Sequence, residues 1–557
     1  MTKDSAIPTN IYEERAEHLS QRELTDWTVL SNAEKQIIQK LTGAGAKLIS
    51  GPRGSGKSTL LRIAYFTLIE SRTALPVYVN YSKALALEPL FHSRSDALQL
   101  FRQWVLAKIL LSLRETLGLW SVETDPELKA EIDKADRYIK ALESGVTTDS
   151  VSEMSPSGVA SQLQEIAKAQ SIARTVLLLD DAAHAFSVKQ QREFFEVFRE
   201  FRSREISSKA AIYPGVTSFS PSFQVGHEAE VIQAWFRPDS PSYLTTMREI
   251  ATKRFPEFVQ MLGANANENI DVLALASFGL PRGFVGLISD VSDELQNSSR
   301  VRRTILDAID AHADVVRTVF SNVADRLPRF KNYIDVGREF ESSGRTALRA
   351  FNLRKSLRAK TATIALADPL PDEFVRVLRF MEYAGLIRRV EDLSKGVKGN
   401  YRRYLVHYAS VIAGNALAIG KNYKLSNITD ALQRPNAHSL VKTKPQTLLG
   451  NDFVTRCTLA LPPCQKCETR RVSEDQKFCM NCGNELRAAS IYQELLKSPV
   501  DKLPLPSRKI EALQQAGIHQ IQQILSDETQ RFRRRGSSIG PVWTKRILTV
   551  AEEYVSV

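Results

Sequence analysis

Eight residues from Gly51 to Ser58 match the pattern G-x-x-x-x-G-K-[ST] and could hold a chain of phosphates. The apolar run at residues 47–50 predicts a strand before them, and residues 58–69 carry apolar side chains at helical spacing. The glycines therefore fall at a strand-to-helix turn, where successive backbone N–H groups and the positive end of a helix dipole point at one spot. The Lys57 ammonium can reach the outer phosphates, and the Ser58 hydroxyl can ligate Mg²⁺.

This spacing predicts a nucleoside triphosphate site with ATP and Mg²⁺ as its ligands. The residues expected to bind the nucleotide are Gly51, Arg53, Gly54, Ser55, Gly56, Lys57, Ser58 and Thr59.

A second buried strand is predicted at residues 175–179, because consecutive apolar residues fit a central parallel strand that is covered on both faces. It runs into Asp180 and Asp181. We assign Asp180 to Mg²⁺ and Asp181 to the position that polarises an attacking water, which makes hydrolysis of ATP the expected reaction. The alternative for Asp181 is a helix N-cap for the segment that follows.

Two more strands are predicted at residues 76–80 and 209–217. Thr217 ends the second of them and is expected to contact the γ-phosphate. The alternative for Thr217 is an ordinary turn.

The composition is that of a multidomain protein with large apolar cores. A chain of 557 residues with 43% hydrophobic residues predicts about three to five domains. No stretch approaches the roughly 20 uncharged apolar residues of a membrane span, and the most apolar helix is interrupted by Arg102 and Lys108. The first residues lack the apolar core of a signal peptide, so we expect a cytoplasmic protein with no membrane partner.

The net charge of +12 is concentrated in two regions. Lys and Arg outnumber Asp and Glu by 12 to 6 between residues 354 and 403, and by 18 to 12 between residues 441 and 557. Two basic regions favour an anionic polymer as partner, whereas a solvated charged surface is the alternative.

Together these motifs resemble the Orc/Cdc6-like branch of AAA+ ATPases and the neighbouring STAND ATPases, over roughly residues 10–420. The resemblance rests on Gly51 to Ser58, the pair Asp180 and Asp181, the strand end at 213–217, and the segment Gly279 to Arg282. It implies that Arg282 reaches the γ-phosphate from a helical lid, and that subunits assemble on ATP. The paired aspartates favour the STAND branch, whereas the lid and the segment after it suit the Orc-like branch. An arginine finger is also implied, with Arg237, Arg248 and Arg254 unranked as candidates.

The segment at residues 371–407 resembles a winged helix, with its wing near residues 395–403. In Orc-like ATPases this domain grips duplex DNA, and in STAND proteins it packs on the nucleotide site. The basic residues that favour DNA are Arg388, Lys395, Lys398, Arg402 and Arg403. Phosphate contacts of this kind depend on salt and carry little sequence information.

Four cysteines form two C-x-x-C pairs. Two thiolates from each tight turn can reach one tetrahedral Zn²⁺, and four thiolates leave no open position for catalysis. The predicted ligands of a structural zinc are Cys464, Cys467, Cys479 and Cys482. Two disulfides are the alternative, and Cys457 lies outside the spacing.

The last 60 residues resemble the helix-hairpin-helix module at the carboxyl end of the bacterial RNA polymerase α subunit. Such hairpins offer backbone N–H groups to one DNA phosphate, here near Gly540, with the basic run 531–535 just before it. Docking to a protein is the alternative.

The predicted fold class is therefore multidomain α/β: a P-loop parallel sheet with a helical lid, a winged helix, a zinc ribbon and a small all-α helix-hairpin-helix domain. The expected units are an ATPase core with a helical insertion at 1–240, the lid at 241–340, the winged helix at 341–435, the ribbon at 450–490 and the hairpin domain at 495–557.

The predicted function is an ATP-binding and ATP-hydrolysing switch that binds duplex DNA. The resemblance implies work in prokaryotic replication, mobile-element chemistry or antiphage defence, where a partner protein supplies any cutting. The alternative is a STAND-type sensor that oligomerises on ATP and reads a protein through its C-terminal modules.

Overall fold

The structure is a computed structural model. It describes residues 13, 15–81, 87, 94, 96–144, 154–181, 187–296, 300–394, 399–420, 422–433, 439–473, 476–486, 490–527 and 539–555. Three features predicted from the sequence lie outside these residues: Lys395 and Lys398 of the wing, and the basic run 531–535.

A sheet of five parallel strands organises the N-terminal part of the chain, in the order β2-β3-β4-β1-β5. Its strands are β1 (Lys47–Ser50), β2 (Leu75–Asn80), β3 (Thr175–Asp180), β4 (Ile206–Ile212) and β5 (Glu230–Gln233). The apolar run of β3 is uninterrupted because both faces of the sheet are covered. Val176 and Leu178 pack into one buried cluster, and Leu177 and Leu179 pack into another.

Helices cover the two faces of this sheet. Those on the first face are α1 (Gln21–Trp27), α2 (Asn32–Thr42) and α3 (Lys57–Ser71). Ser20 and Ser31 cap the first two, each in a reciprocal capping box with a glutamate three residues on. Those on the second face are α4 (Ala97–Leu119), α5 (Pro126–Glu143), α6 (Pro156–Ala169) and α7 (Val188–Glu200). The predicted helical insertion between β2 and β3 thus consists of α4 to α6.

A helical lid follows the sheet. Its helices are α8 (Tyr243–Arg254), α9 (Pro256–Leu262), α10 (Ala266–Ala276), α11 (Pro281–Leu295), α12 (Val301–Ser321) and α13 (Val323–Arg326). The next elements have the order helix, strand, helix, hairpin, and the second helix and the hairpin fall in the segment 371–407 that resembles a winged helix. They are α14 (Lys331–Asn352), β6 (Thr363–Ala367), α15 (Asp372–Tyr383), β7 (Ile387–Ser394) and β8 (Asn400–Val406).

Two short helices complete the part of the chain expected to form the winged helix, α16 (Tyr408–Ala413) and α17 (Leu425–Leu432). They are followed by β9 (Val441–Thr443), α18 (Pro445–Leu449) and α19 (Phe453–Arg456). Strand β9 pairs in parallel with β6 and completes a four-stranded sheet of order β7-β8-β6-β9. The lid and the winged helix share one apolar core, to which Phe284, Phe320, Phe340 and Phe374 contribute.

The C-terminal domain has a core of its own. Its helices are α20 (Ile491–Lys497), α21 (Ser507–Gln515), α22 (Ile521–Leu525) and α23 (Pro541–Val555). Leu513, Ile524, Trp543 and Ile547 are buried together between them. The multidomain α/β fold class predicted from the sequence is confirmed. Of the helices that the structure describes, none is long and apolar enough to cross a membrane.

Candidate nucleotide-binding site

The phosphate loop joins β1 to α3 at the carboxyl edge of the parallel sheet, where ligands of such sheets bind. Gly54 and Gly56 have φ angles of 77° and 88°, a region that L-residues with side chains rarely adopt. A Cβ on Gly51 would lie 2.6 Å from the carbonyl oxygen of Ala234, so backbone from the neighbouring strand leaves no room for a side chain there. The motif therefore folds as the sequence predicted, with α3 beginning at Lys57.

Lys57 is only 4% exposed, because the loop and Tyr213 cover it. Its ammonium donates to the carbonyl oxygens of Gly51 at 2.9 Å and Pro52 at 3.0 Å, and lies 3.7 Å from the centroid of the Tyr213 ring. Burial lowers the pKa of Lys57 to about 7, against the attraction of Asp181 and Asp180. A phosphate chain beside the ammonium would stabilise its charged form.

A second buried polar group of the loop could also bind a phosphate. Among the described residues, the hydroxyl of Ser55 is buried and has no hydrogen-bond partner. A buried cation and a buried hydroxyl on a glycine-rich loop are groups that a triphosphate satisfies. The loop residues present thus fit ATP.

Asp180 ends β3 and is 1% exposed. It accepts hydrogen bonds from the Tyr78 hydroxyl at 2.8 Å and from the Asp181 backbone N–H at 3.0 Å. Burial, together with the neighbouring charge of Asp181, raises the pKa of Asp180 to about 7. Ser58 also hydrogen-bonds the Asp180 carboxyl. Since a divalent cation relieves the repulsion between carboxylates, Ser58 and Asp180 fit the ligands of Mg²⁺.

Asp181 lines the cavity beside the phosphate loop. Its φ of 54° turns the chain sharply after the strand. One carboxylate oxygen accepts a 3.0 Å hydrogen bond from the Tyr213 hydroxyl. The next described helix, α7, is capped by Ser187, so Asp181 is not the cap of that helix.

Two residues that the sequence analysis did not single out belong to this site. Tyr213, at the end of β4, joins Lys57 to Asp181. Glu17, in the turn Ala16–His18, lines the same cavity, and its pKa is raised by burial and by the charge of Asp181. An aromatic residue directly after a buried strand was the available signal for Tyr213, whereas Glu17 lies in a lead-in with no motif.

Thr217 lies one turn further along the chain than Tyr213. Its hydroxyl accepts from the Tyr213 backbone N–H at 2.9 Å, and its own N–H donates to the Tyr213 carbonyl at 3.2 Å. It does not line the cavity as described. The γ-phosphate role of Thr217 stays a prediction.

Arg282 lies in the lid beside the phosphate loop, and its γ-phosphate role stays a prediction. A Cβ on Gly279 would lie 1.9 Å from the Phe236 carbonyl, so only glycine fits, and Pro281 then starts α11. This geometry places Arg282 against the loop, where its backbone N–H donates to the Gly54 carbonyl at 3.4 Å. The guanidinium pairs with Glu553 of α23 at 2.7 Å.

The far end of the cavity is apolar and could receive a nucleobase. It is lined by Trp27, Leu30, Ile250, Phe284 and Val285. Thr59, at the start of α3, lines the phosphate end together with Arg53.

The three arginine-finger candidates all have partners within the chain. Arg237 pairs with Asp239 at 2.8 Å, and Arg248 pairs with Asp271. Arg254 lies over the Trp27 ring at 5.2 Å. No one of the three is favoured by these contacts.

The cysteine pairs predicted to hold zinc converge on one point. The ligand atoms of Cys464, Cys467, Cys479 and Cys482 all lie within 4.8 Å of one another. The Sγ atoms of Cys464 and Cys482 are 3.6 Å apart, and those of Cys467 and Cys479 are 3.5 Å apart. All four are free thiols rather than disulfides. Tetrahedral zinc with Zn–S bonds of about 2.3 Å needs S–S separations of roughly 3.8 Å, so the cluster fits the ion. Cys457 is buried elsewhere, in the core of the lid and winged helix.

No protein-family model matches this sequence, and no curated protein does. Solved structures similar to the chain include a Walker-type ATPase of Pyrococcus abyssi, with 12% identity over 73% of this chain and 100% of that one, at a TM-score of 0.40. The Aeropyrum pernix Orc1 protein in complex with DNA matches with 16% identity over 74% of this chain and 96% of that one, at 0.30. Cdc6p from Pyrobaculum aerophilum matches with 12% identity over 76% and 98%, at 0.29.

Proposed function

We propose that this protein is an ATP-binding and ATP-hydrolysing switch of the Orc/Cdc6-like kind. The observation that carries the proposal is the meeting of Lys57, Asp181 and Arg282 at one cavity, with the Asp180 carboxylate directly behind Asp181. Lys57 and Arg282 would bind the outer phosphates, and Ser58 and Asp180 would hold Mg²⁺, which neutralises charge on the transferred phosphoryl group. Asp181 would orient the attacking water, with its carboxylate held in place by the Tyr213 hydroxyl.

The first test is direct. Purified protein should bind a fluorescent ATP analogue in the presence of Mg²⁺ and should release inorganic phosphate from ATP, and chelation of Mg²⁺ should stop the release. Absence of both binding and release from a folded, monodisperse preparation would refute the proposal.

Duplex DNA is the proposed partner of the switch. Its support is the positive charge between residues 354 and 403. The structure describes exposed basic side chains in the turn after α14, at Arg354, Lys355 and Arg358. These three neighbouring residues form one exposed cluster of positive charge on this domain.

The basic residues of the described wing are used within the protein. Arg388 donates to the Phe236 carbonyl at 2.8 Å and lies over the Trp235 ring at 4.9 Å. Arg402 pairs with Asp368 at 2.8 Å, and Arg403 binds Glu391. Direct phosphate contacts from these three would require those pairs to open.

A STAND-type sensor is the second candidate, and one observation favours it. The winged helix packs on the nucleotide site: the Arg53 backbone N–H donates to the carbonyl of Tyr383 in α15 at 3.3 Å, and the rings of Tyr213 and Tyr383 lie 5.8 Å apart. ATP-dependent assembly without affinity for DNA, measured by mass photometry and by fluorescence anisotropy of a labelled duplex at low salt, would favour this candidate. Salt-sensitive DNA binding would favour the first. Either function suits a replication, mobile-element or defence pathway, in which a partner supplies the effector.

A further inference from the structure

A carboxylate from the last helix lies among the arginines of the nucleotide site. Glu553, in α23, pairs with Arg282 at 2.7 Å and with Arg53 at 2.9 Å, and its Oε1 is 3.9 Å from Arg15. Its backbone carbonyl accepts from Arg326 at 3.3 Å. The side chain lines the same cavity as the phosphate loop, although 271 residues separate it from Arg282.

The arginines around Glu553 could bind an anion with more negative charge than a single carboxylate carries. Its side chain is only 18% exposed, and Arg53 and Arg15 are 15% and 13% exposed. Burial alone would raise the pKa of Glu553, but Arg282, Arg53, Arg15 and Arg326 outweigh it and lower the pKa to about 2. A terminal phosphate has the same sign, more charge and more acceptor oxygens, and arginine forks bind phosphate and carboxylate by the same bidentate geometry.

We infer that Glu553 holds the place of the terminal phosphate at Arg53 and Arg282, so that docking of α23 and binding of a nucleoside triphosphate compete. The inference rests on the proposed nucleotide site. It assigns a ligand class to the arginine cluster, the terminal phosphate of a triphosphate. It also assigns a regulatory role to the C-terminal domain, which keeps the site closed to that phosphate. A diphosphate does not extend to these arginines and competes less.

The C-terminal domain can separate from the lid and the nucleotide site as one folded unit. Its apolar core is separate from those of the ATPase and lid, so release exposes no split core. Its contacts with the lid include polar pairs: Trp543 donates to Asp293 at 2.7 Å, Arg546 pairs with Asp290 at 2.7 Å, and Lys502 pairs with Asp325 at 3.2 Å. Polar interfaces between domains of one chain favour relative motion.

Competition has a reciprocal consequence. If the docked domain lowers the affinity for ATP by some factor, then ATP must weaken docking by the same factor. Couplings of this kind commonly amount to about 5- to 150-fold. Removing the carboxylate should therefore tighten triphosphate binding without adding any contact to the nucleotide.

The test compares Glu553→Gln with Glu552→Gln in the full-length protein. Glu552 is the adjacent residue, is 54% exposed and pairs with Arg15, and it does not line the cavity, so it is the matched control. Dissociation constants for ATPγS and ADP are measured by calorimetry with Mg²⁺. We expect Glu553→Gln to bind ATPγS about 5- to 150-fold more tightly than wild type, with a smaller change for ADP, and Glu552→Gln to match wild type.

A second variant acts at a distance. Arg546→Ala removes the pair with Asp290, and neither residue lines the nucleotide cavity. It should also tighten ATPγS binding, because it weakens docking. Hydrogen–deuterium exchange in residues 541–555 of wild type should become faster with ATPγS than with ADP.

Equal ATPγS affinity in wild type and Glu553→Gln, with unchanged exchange in residues 541–555, would overturn the competition and leave the nucleotide site intact. A loss of ATPγS affinity in Glu553→Gln would also overturn it, since Glu553 would then help to bind the nucleotide. Absence of nucleotide binding in every variant would refute the nucleotide site itself, and the inference with it.

Discussion

The hydroxyl of Tyr213 donates a 3.0 Å hydrogen bond to the carboxylate of Asp181. Burial, together with the charges of Asp181 and Asp180, raises the pKa of Tyr213 well above its ordinary value, so the phenol keeps its proton. The same ring faces the Lys57 ammonium. One aromatic side chain therefore fixes the distance between the residue that would bind phosphate and the residue that would direct water.

Asp181→Asn should keep ATP binding and lose hydrolysis. The amide cannot accept a proton, yet it has the shape of the carboxylate and can still accept from Tyr213. Loss of a general base costs about 10²- to 10⁴-fold in rate. Phosphate release under single-turnover conditions measures the step, and a rate equal to wild type would remove Asp181 from the reaction.

Lys57→Ala should abolish binding of Mg·ATP without unfolding the protein, because the ammonium contacts only loop carbonyls and the Tyr213 ring. Lys35→Ala, at an exposed position of α2, is the control and should bind normally. Calorimetry gives the affinity, and circular dichroism confirms the fold. Unchanged affinity in Lys57→Ala would contradict the site.

The cysteine cluster should hold one zinc ion per chain. Replacing Cys464, Cys467, Cys479 or Cys482 with serine should release the metal and unfold residues 460–486 locally, because few apolar side chains are buried there. The control variant Cys457→Ala should still contain one zinc ion per chain, because Cys457 is not part of the cluster. Metal analysis of unchelated protein measures the content, and less than about half an equivalent would count against the assignment.

Affinity for duplex DNA should fall steeply with salt. Each neutralised phosphate contributes roughly 0.9 to the slope of log affinity against log salt. Replacing Arg354, Lys355 and Arg358 with alanine should flatten the slope by up to about 3. The matched variant of Lys398, Arg402 and Arg403 should flatten it less, because Arg402 and Arg403 already pair with carboxylates.

Equal slopes for the two variants would mean that the wing contributes as much to DNA binding as Arg354, Lys355 and Arg358 do. If the wild type with ATP has no affinity for DNA at low salt, the DNA partner is wrong and the sensor candidate takes its place.

The stabilisation that the Glu553 ion pairs give to the folded protein should decrease at acidic pH. Its pKa is lowered in the folded state to about 2, so its contribution is complete above the unfolded value near 4.3 and is lost as the pH falls towards 2. The size of that contribution is on the order of 3 kcal/mol. The melting temperature of wild type should exceed that of Glu553→Gln at pH 7, and the difference should shrink below pH 4 and nearly vanish by about pH 2. A difference that does not change with pH would mean that the carboxylate charge plays no part.

Short-range features of this protein could be predicted from the sequence. The phosphate loop, Asp180 and the cysteine pairs are each set by a few adjacent residues, and the structure forms them where the patterns indicated. The resemblance pointed to Arg282 in the segment Gly279 to Arg282, and the structure starts a helix there at Pro281.

Contacts between distant segments could not be predicted. Arg388 belongs to a basic segment that is typical of a DNA-binding wing. Its guanidinium instead donates to the carbonyl of Phe236, which is 152 residues away in the sequence. Glu553 stands in a helix whose pattern indicates a separate module, and nothing in that pattern points to an arginine in the lid. Strand β9 is three residues long, too short for a periodic signal.

The separation of 271 residues between Arg282 and Glu553 also orders events during translation. At about 5–20 residues per second, the ribosome completes the phosphate loop and the lid roughly 10–45 s before it makes α23. During that interval the nascent ATPase can fold and meet cellular ATP with no internal competitor. The first nucleotide would then be bound before α23 is made, and each newly made molecule would start with α23 undocked.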